Sequence, residues 1–129
     1  CWPAVWPHPI LVSGKNIFLG RPEDANAAKG TLEVWTVPDS GKLTRIGVTQ
    51  PSLPAYTLKA FGNLLTVQLN SNNGVELYDA TNPAALQLRG SGDLPGCLGY
   101  NLEFSDGNLD RGLSVPLGAY GVTRIEVKR

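Results

Sequence analysis

The sequence predicts an all-β protein forming a single unit over residues 1–129, assembled from three successive copies of a four-strand antiparallel unit, the third cut short. Three observations predict it. An apolar-acidic-apolar alternation occurs as Leu32-Glu33-Val34-Trp35, again as Val75-Glu76-Leu77-Tyr78 and once more as Ile125-Glu126-Val127-Lys128, 43 and then 50 positions apart. A period of two is the mark of a strand, and recurrence at this distance is the mark of a repeated supersecondary unit. Fifteen Gly and ten Pro, about a fifth of the chain, suit many short strands joined by tight turns. A chain of 129 residues supports one core rather than two.

The copies span about 8–48, 55–92 and 99–129. In the first, strands are expected at 9–13, 16–20, 31–37 and 42–48, with 21–29, which holds Pro22 and several Ala, as a long loop with room for one helical turn. In the second they are expected at 56–61, 64–70, 75–80 and 86–90. Here Leu86-Gln87-Leu88-Arg89-Gly90 matches Leu43-Thr44-Arg45-Ile46-Gly47 at the same 43-residue displacement, so two neighbouring strands share one register. The turns of the second copy are explicit: Asn70-Ser71-Asn72-Asn73-Gly74 and Asp79-Ala80-Thr81-Asn82-Pro83 concentrate the residues that accept turn geometry. In the third copy strands are expected at 100–104, 113–117 and 122–128, with no fourth. Gly14-Lys15-Asn16-Ile17, Gly62-Asn63-Leu64 and Gly107-Asn108-Leu109 each set a Gly/Asn turn before an apolar strand, as a tight hairpin requires.

Repeated four-strand antiparallel units of this length are the material of β-propellers, with a β-sandwich as the alternative architecture. The stretch 74–92, Gly-Val-Glu-Leu-Tyr-Asp-Ala-Thr-Asn-Pro-Ala-Ala-Leu-Gln-Leu-Arg-Gly-Ser-Gly, resembles the LVIVD-type propeller repeat, in which an apolar strand ends in Asp-x-(Ser/Thr)-(Asn/Asp)-Pro. The resemblance implies that Asp79 and Asn82 cap a turn and that Pro83 ends the strand. It also implies a secreted or surface-attached location. It is partial in the first copy, where Val37-Pro38-Asp39-Ser40-Gly41 stands at the turn, and weak in the third.

Propellers close with typically four to eight blades, so three copies leave the architecture to be completed by another protein chain or by further copies of this one. Trp2 and Trp6 are the interface candidates, because large apolar rings near a free end call for burial. The chain begins at Cys1 and contains no Met, which suggests processing or a piece of a longer protein. Cys1 and Cys97 are the only cysteines. They are candidates for a disulfide in an oxidising compartment, with free thiols or a lipid-bearing Cys1 as the other readings. Eleven basic and eleven acidic residues give a formal net charge of zero, which argues against nucleic acid as a partner. No apolar run approaches the roughly 20 residues of a transmembrane helix.

The sequence offers little chemistry. His8 is the lone histidine, between Pro7 and Pro9 and without the partners of a triad. Gly90-Ser91-Gly92 lacks the pattern of a nucleophile elbow and is expected to be a turn. Asp106, Asn108 and Asp110 have the spacing of calcium-loop ligands, but the sixth position is Arg111 and the twelfth Leu117, so a polar hairpin loop is the simpler reading. Glu33, Glu76 and Glu126 are expected on the solvent face of their strands, and Trp35, Tyr56, Tyr78 and Tyr100 in packing roles. No catalytic residue, cofactor or closed metal site is predicted. The expectation is a non-catalytic, extracytoplasmic binding or assembly module. Its rivals are a subunit of a propeller enzyme whose catalytic groups lie on a partner chain, and a small carbohydrate-binding β domain.

Overall fold

The computed structural model describes residues 9–22, 29–69, 74–93, 106–116 and 122–128. These residues form eleven strands: β1 (Ile10–Ser13), β2 (Asn16–Pro22), β3 (Gly30–Thr36), β4 (Thr44–Thr49), β5 (Ala55–Phe61), β6 (Leu64–Leu69), β7 (Gly74–Asp79), β8 (Gln87–Asp93), β9 (Asp106–Asn108), β10 (Gly112–Pro116) and β11 (Val122–Ile125). They make three antiparallel sheets, in the orders β1-β2-β3-β4, β5-β6-β7-β8 and β11-β10-β9. All-β architecture is therefore what the alternation and turn content predicted.

The first two sheets repeat one construction in detail. Ser13 pairs with Asn16 across the two-residue turn Gly14-Lys15, and Phe61 pairs with Leu64 across Gly62-Asn63. Gly14 and Gly62 have φ of 61° and 59°, a left-handed conformation that a Cβ disfavours and a tight hairpin needs. The Val37 N–H donates to the Lys15 carbonyl at 2.9 Å, and the Ala80 N–H donates to the Asn63 carbonyl at 2.8 Å, closing each hairpin against the end of the third strand. The ladder to the last strand shifts register between Val34 and Trp35 in one sheet and between Leu77 and Tyr78 in the other. A bulge at the same place in both bends both outer strands alike.

The sheets pack face to face in two apolar layers. Between the first and second lie Phe18, Leu32, Val34, Ala55, Leu65, Val67, Leu69 and Tyr78. Between the second and third lie Leu64, Val75, Leu77, Leu113 and Ile125. The middle sheet is thus covered on both sides, and every residue of β6 is buried. The polar members of that strand are satisfied internally. Thr66 Oγ1 donates to the Lys59 carbonyl at 2.9 Å, and Gln68 Oε1 accepts from Thr57 Oγ1 at 3.0 Å. The first strands of the three sheets are neighbours, with β1 against β5 and β5 against β9.

Two glycines set how closely successive sheets approach. A Cβ on Gly47 in β4 would lie 2.6 Å from the carbonyl oxygen of Ala84, in the loop between β7 and β8. Gly90 in β8, the residue that matches Gly47 in the sequence repeat, meets the carbonyl oxygen of Glu126 in the same manner. Backbone of the next sheet occupies the space that a side chain would take.

Several expectations need correction. Gly90-Ser91-Gly92 is not a turn but the middle of β8. Gly107 and Asn108 belong to β9, and the turn before β10 is Leu109-Asp110-Arg111, followed by Gly112 at φ 83°. The third copy also differs in facing. Val75 and Leu77 point toward the third sheet, whereas Ile125, their counterpart in the sequence alignment, points back toward the second. A slip of one residue exchanges the two faces of a strand, so β11 does not repeat β7. The loop expected at 21–29 falls mainly outside the described residues, as do the strand at 100–104 and the turn at 70–73.

Candidate functional site

The sequence-predicted candidates divide into those the structure describes and those it does not. Cys1, Trp2, Trp6, His8, Cys97 and Tyr100 lie outside the described residues. Of the calcium-like set, Asp106 lies in β9. The Asn108 carboxamide oxygen accepts the N–H groups of Asp110 at 2.9 Å and Arg111 at 2.7 Å, so it is spent on closing the turn. Asp79 and Asn82 take the capping roles that the repeat resemblance implies: Asp79 Oδ1 accepts from the Thr81 N–H at 2.9 Å and Asn82 Oδ1 from the Ala84 N–H at 3.2 Å. Among the described residues, no group of three or more His, Cys, Asp or Glu side chains gathers in metal-binding fashion.

Glu33 and Glu76 depart most from expectation. Each is only 6% exposed, whereas Glu126 is exposed. Residues two apart on a strand share a face, and this alternation supplies the partner in both cases. Glu33 Oε1 accepts from Trp35 Nε1 at 2.9 Å, and its other oxygen lies 3.0 Å from Arg21 Nε. Glu76 Oε1 accepts from the Tyr78 hydroxyl at 2.9 Å and from the Ser52 N–H at 3.3 Å. A buried carboxylate is tolerated only when hydrogen-bonded, and both are. Tyr78 feels the arrangement in return. Its burial, and then the neighbouring Glu76 charge and hydrogen bond, push its hydroxyl well above the usual tyrosine range. Trp35 and Tyr78 are therefore the hydrogen-bonded lids of carboxylates as well as packing residues.

Two open clefts accompany these groups. One, of about 490 Å³, is lined by Asp79, Arg89, Leu109, Asp110 and Val127. Its guanidinium is already engaged, with Arg89 4.0 Å from Asp79 and hydrogen-bonded to Gln87. The other, of about 260 Å³, lies over Ser52, Glu76 and Ser91. Among the described residues, neither assembles a nucleophile with a base.

What stands out is one face of the first sheet. Reading across it, the strand registers align Ile10, Leu19, Glu33 and Val48 in one row and Val12, Ile17, Trp35 and Arg45 in the next. In the second sheet the same registers align Leu58, Val67, Glu76 and Ser91, then Ala60, Leu65, Tyr78 and Leu88. The rows correspond position by position, down to the carboxylate and its aromatic lid. Their surroundings differ. In the second sheet this face packs against the first, and Leu65 and Val67 are 0% exposed. In the first sheet it is open: Ile10 and Val12 are each 66% exposed and Val48 52%, with Ile17 and Leu19 half-buried.

Sequence reasoning did not single out this face. The available signal was the unbroken apolar run Ile10-Leu11-Val12, which gives β1 apolar side chains on both sides, as a strand covered on two faces requires. No protein-family model matches the chain, and a search of curated proteins finds no match.

Proposed function

We propose that this chain is a non-catalytic β-propeller segment acting as an extracytoplasmic binding or assembly module, completed by another protein chain or by further copies of itself. The observation that carries the reading is the open face of the first sheet, which has the residue pattern of a face that elsewhere in the molecule is covered by a β-sheet. An exposed aliphatic surface rimmed by polar residues marks an interaction site. The neighbouring placement of β1, β5 and β9 supports the propeller reading, because in that architecture the first strands of successive blades surround a common axis. The extracytoplasmic location rests on the LVIVD-type resemblance.

Light scattering coupled to size exclusion tests the assembly reading. The expected result is a species heavier than the 13.8 kDa of one chain. A stably folded, non-sticky monomer of that mass refutes it, since such a molecule has no surface in need of completion.

A further inference from the structure

We infer that the cleft beside Glu76 binds a guanidinium group supplied by a ligand, where the first sheet supplies its own in Arg21. The inference goes beyond the assembly reading and stands whether or not copies of the chain associate.

The two sheets present the same carboxylate in the same frame. Glu33 pairs with Leu19 and Glu76 with Val67, and each carboxylate accepts a hydrogen bond from the aromatic residue two positions on. In the first sheet the other oxygen meets a cation: Arg21, two residues beyond Leu19, brings Nε to 3.0 Å from Glu33 Oε2. The residue two beyond Val67 is Leu69, which carries no charge. Glu76 Oε1 accepts from the Tyr78 hydroxyl and the Ser52 N–H, but among the described residues no cation forms an ion pair with this carboxylate. Across the ladder the change continues, since Val48 stands opposite Glu33 and Ser91 opposite Glu76.

The second oxygen of Glu76 has access to solvent. Glu76 is only 6% exposed, yet it lines the cleft of about 260 Å³ together with Ser52, Leu69, Ser91 and Asp93. Among the described residues no fully buried side-chain oxygen or nitrogen lacks a hydrogen bond, so Oε2, which accepts none, reaches the cleft. Gly74 pairs with Asp93 and Glu76 with Ser91, which makes Asp93 the diagonal neighbour of Glu76 on one face of β7 and β8. The cleft thus sets a buried carboxylate beneath an exposed carboxylate and an exposed hydroxyl, and no basic side chain is among its described lining. A buried carboxylate without a counter-charge is costly, and a cation that enters offsets that cost. The cleft has room for a planar guanidinium and several waters, each of which takes about 30 Å³. A guanidinium suits it better than an ammonium, because a fixed fork of N–H groups bonds a carboxylate and neighbouring acceptor oxygens together.

Methylguanidinium titrated into the full chain, labelled with nitrogen-15 for NMR, tests the site. Saturable shifts are expected at the amides of Ser52, Ser91, Gly92 and Asp93, with a dissociation constant on the order of 10 mM, in keeping with a ligand of so few atoms. Glu76→Gln keeps an acceptor for Tyr78 and loses the charge, so it should bind roughly 10-fold more weakly. Glu126→Gln, which removes an exposed carboxylate elsewhere, should bind as wild type does. If circular dichroism shows that Glu76→Gln does not fold, Ser91→Lys replaces it. That exposed position stands directly opposite Glu76, and an ammonium placed there should weaken binding to a similar extent. Unsaturable or absent shifts at the cleft overturn the inference. So does equal affinity for wild type and Glu76→Gln, equal weakening by Glu126→Gln, or tighter binding of methylammonium or calcium than of methylguanidinium. Free arginine and N-acetylarginine amide, titrated in turn, separate a free amino acid from an arginine within a peptide, and saturable binding of either supports the site. Light scattering decides the assembly reading independently of all these outcomes.

Discussion

Replacing Gly47 with alanine perturbs a close approach between the first and second sheets. The added methyl would sit 2.6 Å from the Ala84 carbonyl oxygen, 3.1 Å from its carbon and 3.3 Å from its Cα, all backbone atoms. Non-bonded carbon contacts are comfortable at about 3.5–4.0 Å, so the β7–β8 loop must retreat by roughly half an ångström or more. That loop resists, because Asp79 and Asn82 cap it from within and the Ala85 N–H donates to the Asn82 carbonyl at 3.0 Å. Retreat would also loosen the layer beneath, where Ile46 and Leu86 pack against the cluster that holds Val34 and Tyr78. Overpacking of this kind costs about 2 kcal/mol, or about 8 °C in Tm for a domain of this size. Urea denaturation of wild type, Gly47→Ala, Gly90→Ala and the double variant measures it. Gly90 lies at the other layer, so the two costs should add within about 0.5 kcal/mol. Ala84→Gly should not rescue Gly47→Ala, since the clash is with a carbonyl and not with a side chain. A Gly47→Ala protein within about 0.5 kcal/mol of wild type, the range of an ordinary surface substitution, would refute the close-packing argument.

Glu76→Ala leaves the buried Tyr78 hydroxyl without its acceptor and should destabilise by about 2–3 kcal/mol in chemical denaturation, whereas Glu76→Gln, which keeps an acceptor, should cost about half as much or less. Equal losses would mean that the hydrogen bonds are incidental. Tyr78 also predicts a pH dependence. Its hydroxyl stays protonated in the folded protein and ionises near pH 10 in the unfolded chain, so its contribution is complete below about pH 10 and falls by up to about 1.4 kcal/mol per pH unit above it. Stability measured between about pH 9 and 11.5 should fall less steeply for Tyr78→Phe than for wild type, and identical slopes would contradict the burial argument.

The individual strands were readable because each local signal has a local cause. Gly14-Lys15 and Gly62-Asn63 permit a two-residue turn wherever they occur, and Leu32-Glu33-Val34 alternates whichever sheet it joins. The bulges at Val34/Trp35 and Leu77/Tyr78 follow the same 43-residue displacement as the repeat, so likeness of sequence carried through to likeness of register. The third unit was harder. Its alignment relied on one apolar-acidic-apolar match at Ile125, and such a match is satisfied by a strand facing either way.

For the same reason the burial of Glu33 and Glu76 was missed, although Glu33 does lie on an open face. Period-two alternation reports that Glu33 shares a side with Trp35, but it is silent on what covers that side. Even then, the pairing of a carboxylate with a donor two residues on was written in the chain at both positions. Ser52, which reaches Glu76 through its backbone N–H from 24 residues away, left no such trace.

By itself the sequence determined an all-β chain, the strands of the first two units, their common register and the turn-capping parts of Asp79 and Asn82, because these depend on neighbours in the chain. Only the tertiary structure decided that β6 is buried on both faces, that Gly47 and Gly90 yield space to the backbone of the next sheet, and that Ile10 and Val12 face outward while Leu65 and Val67 do not. Those outcomes depend on which sheet lies against which. Stacking joins residues far apart in the chain through contacts that no local pattern encodes, and it leaves the same pattern covered in one sheet and open in the other.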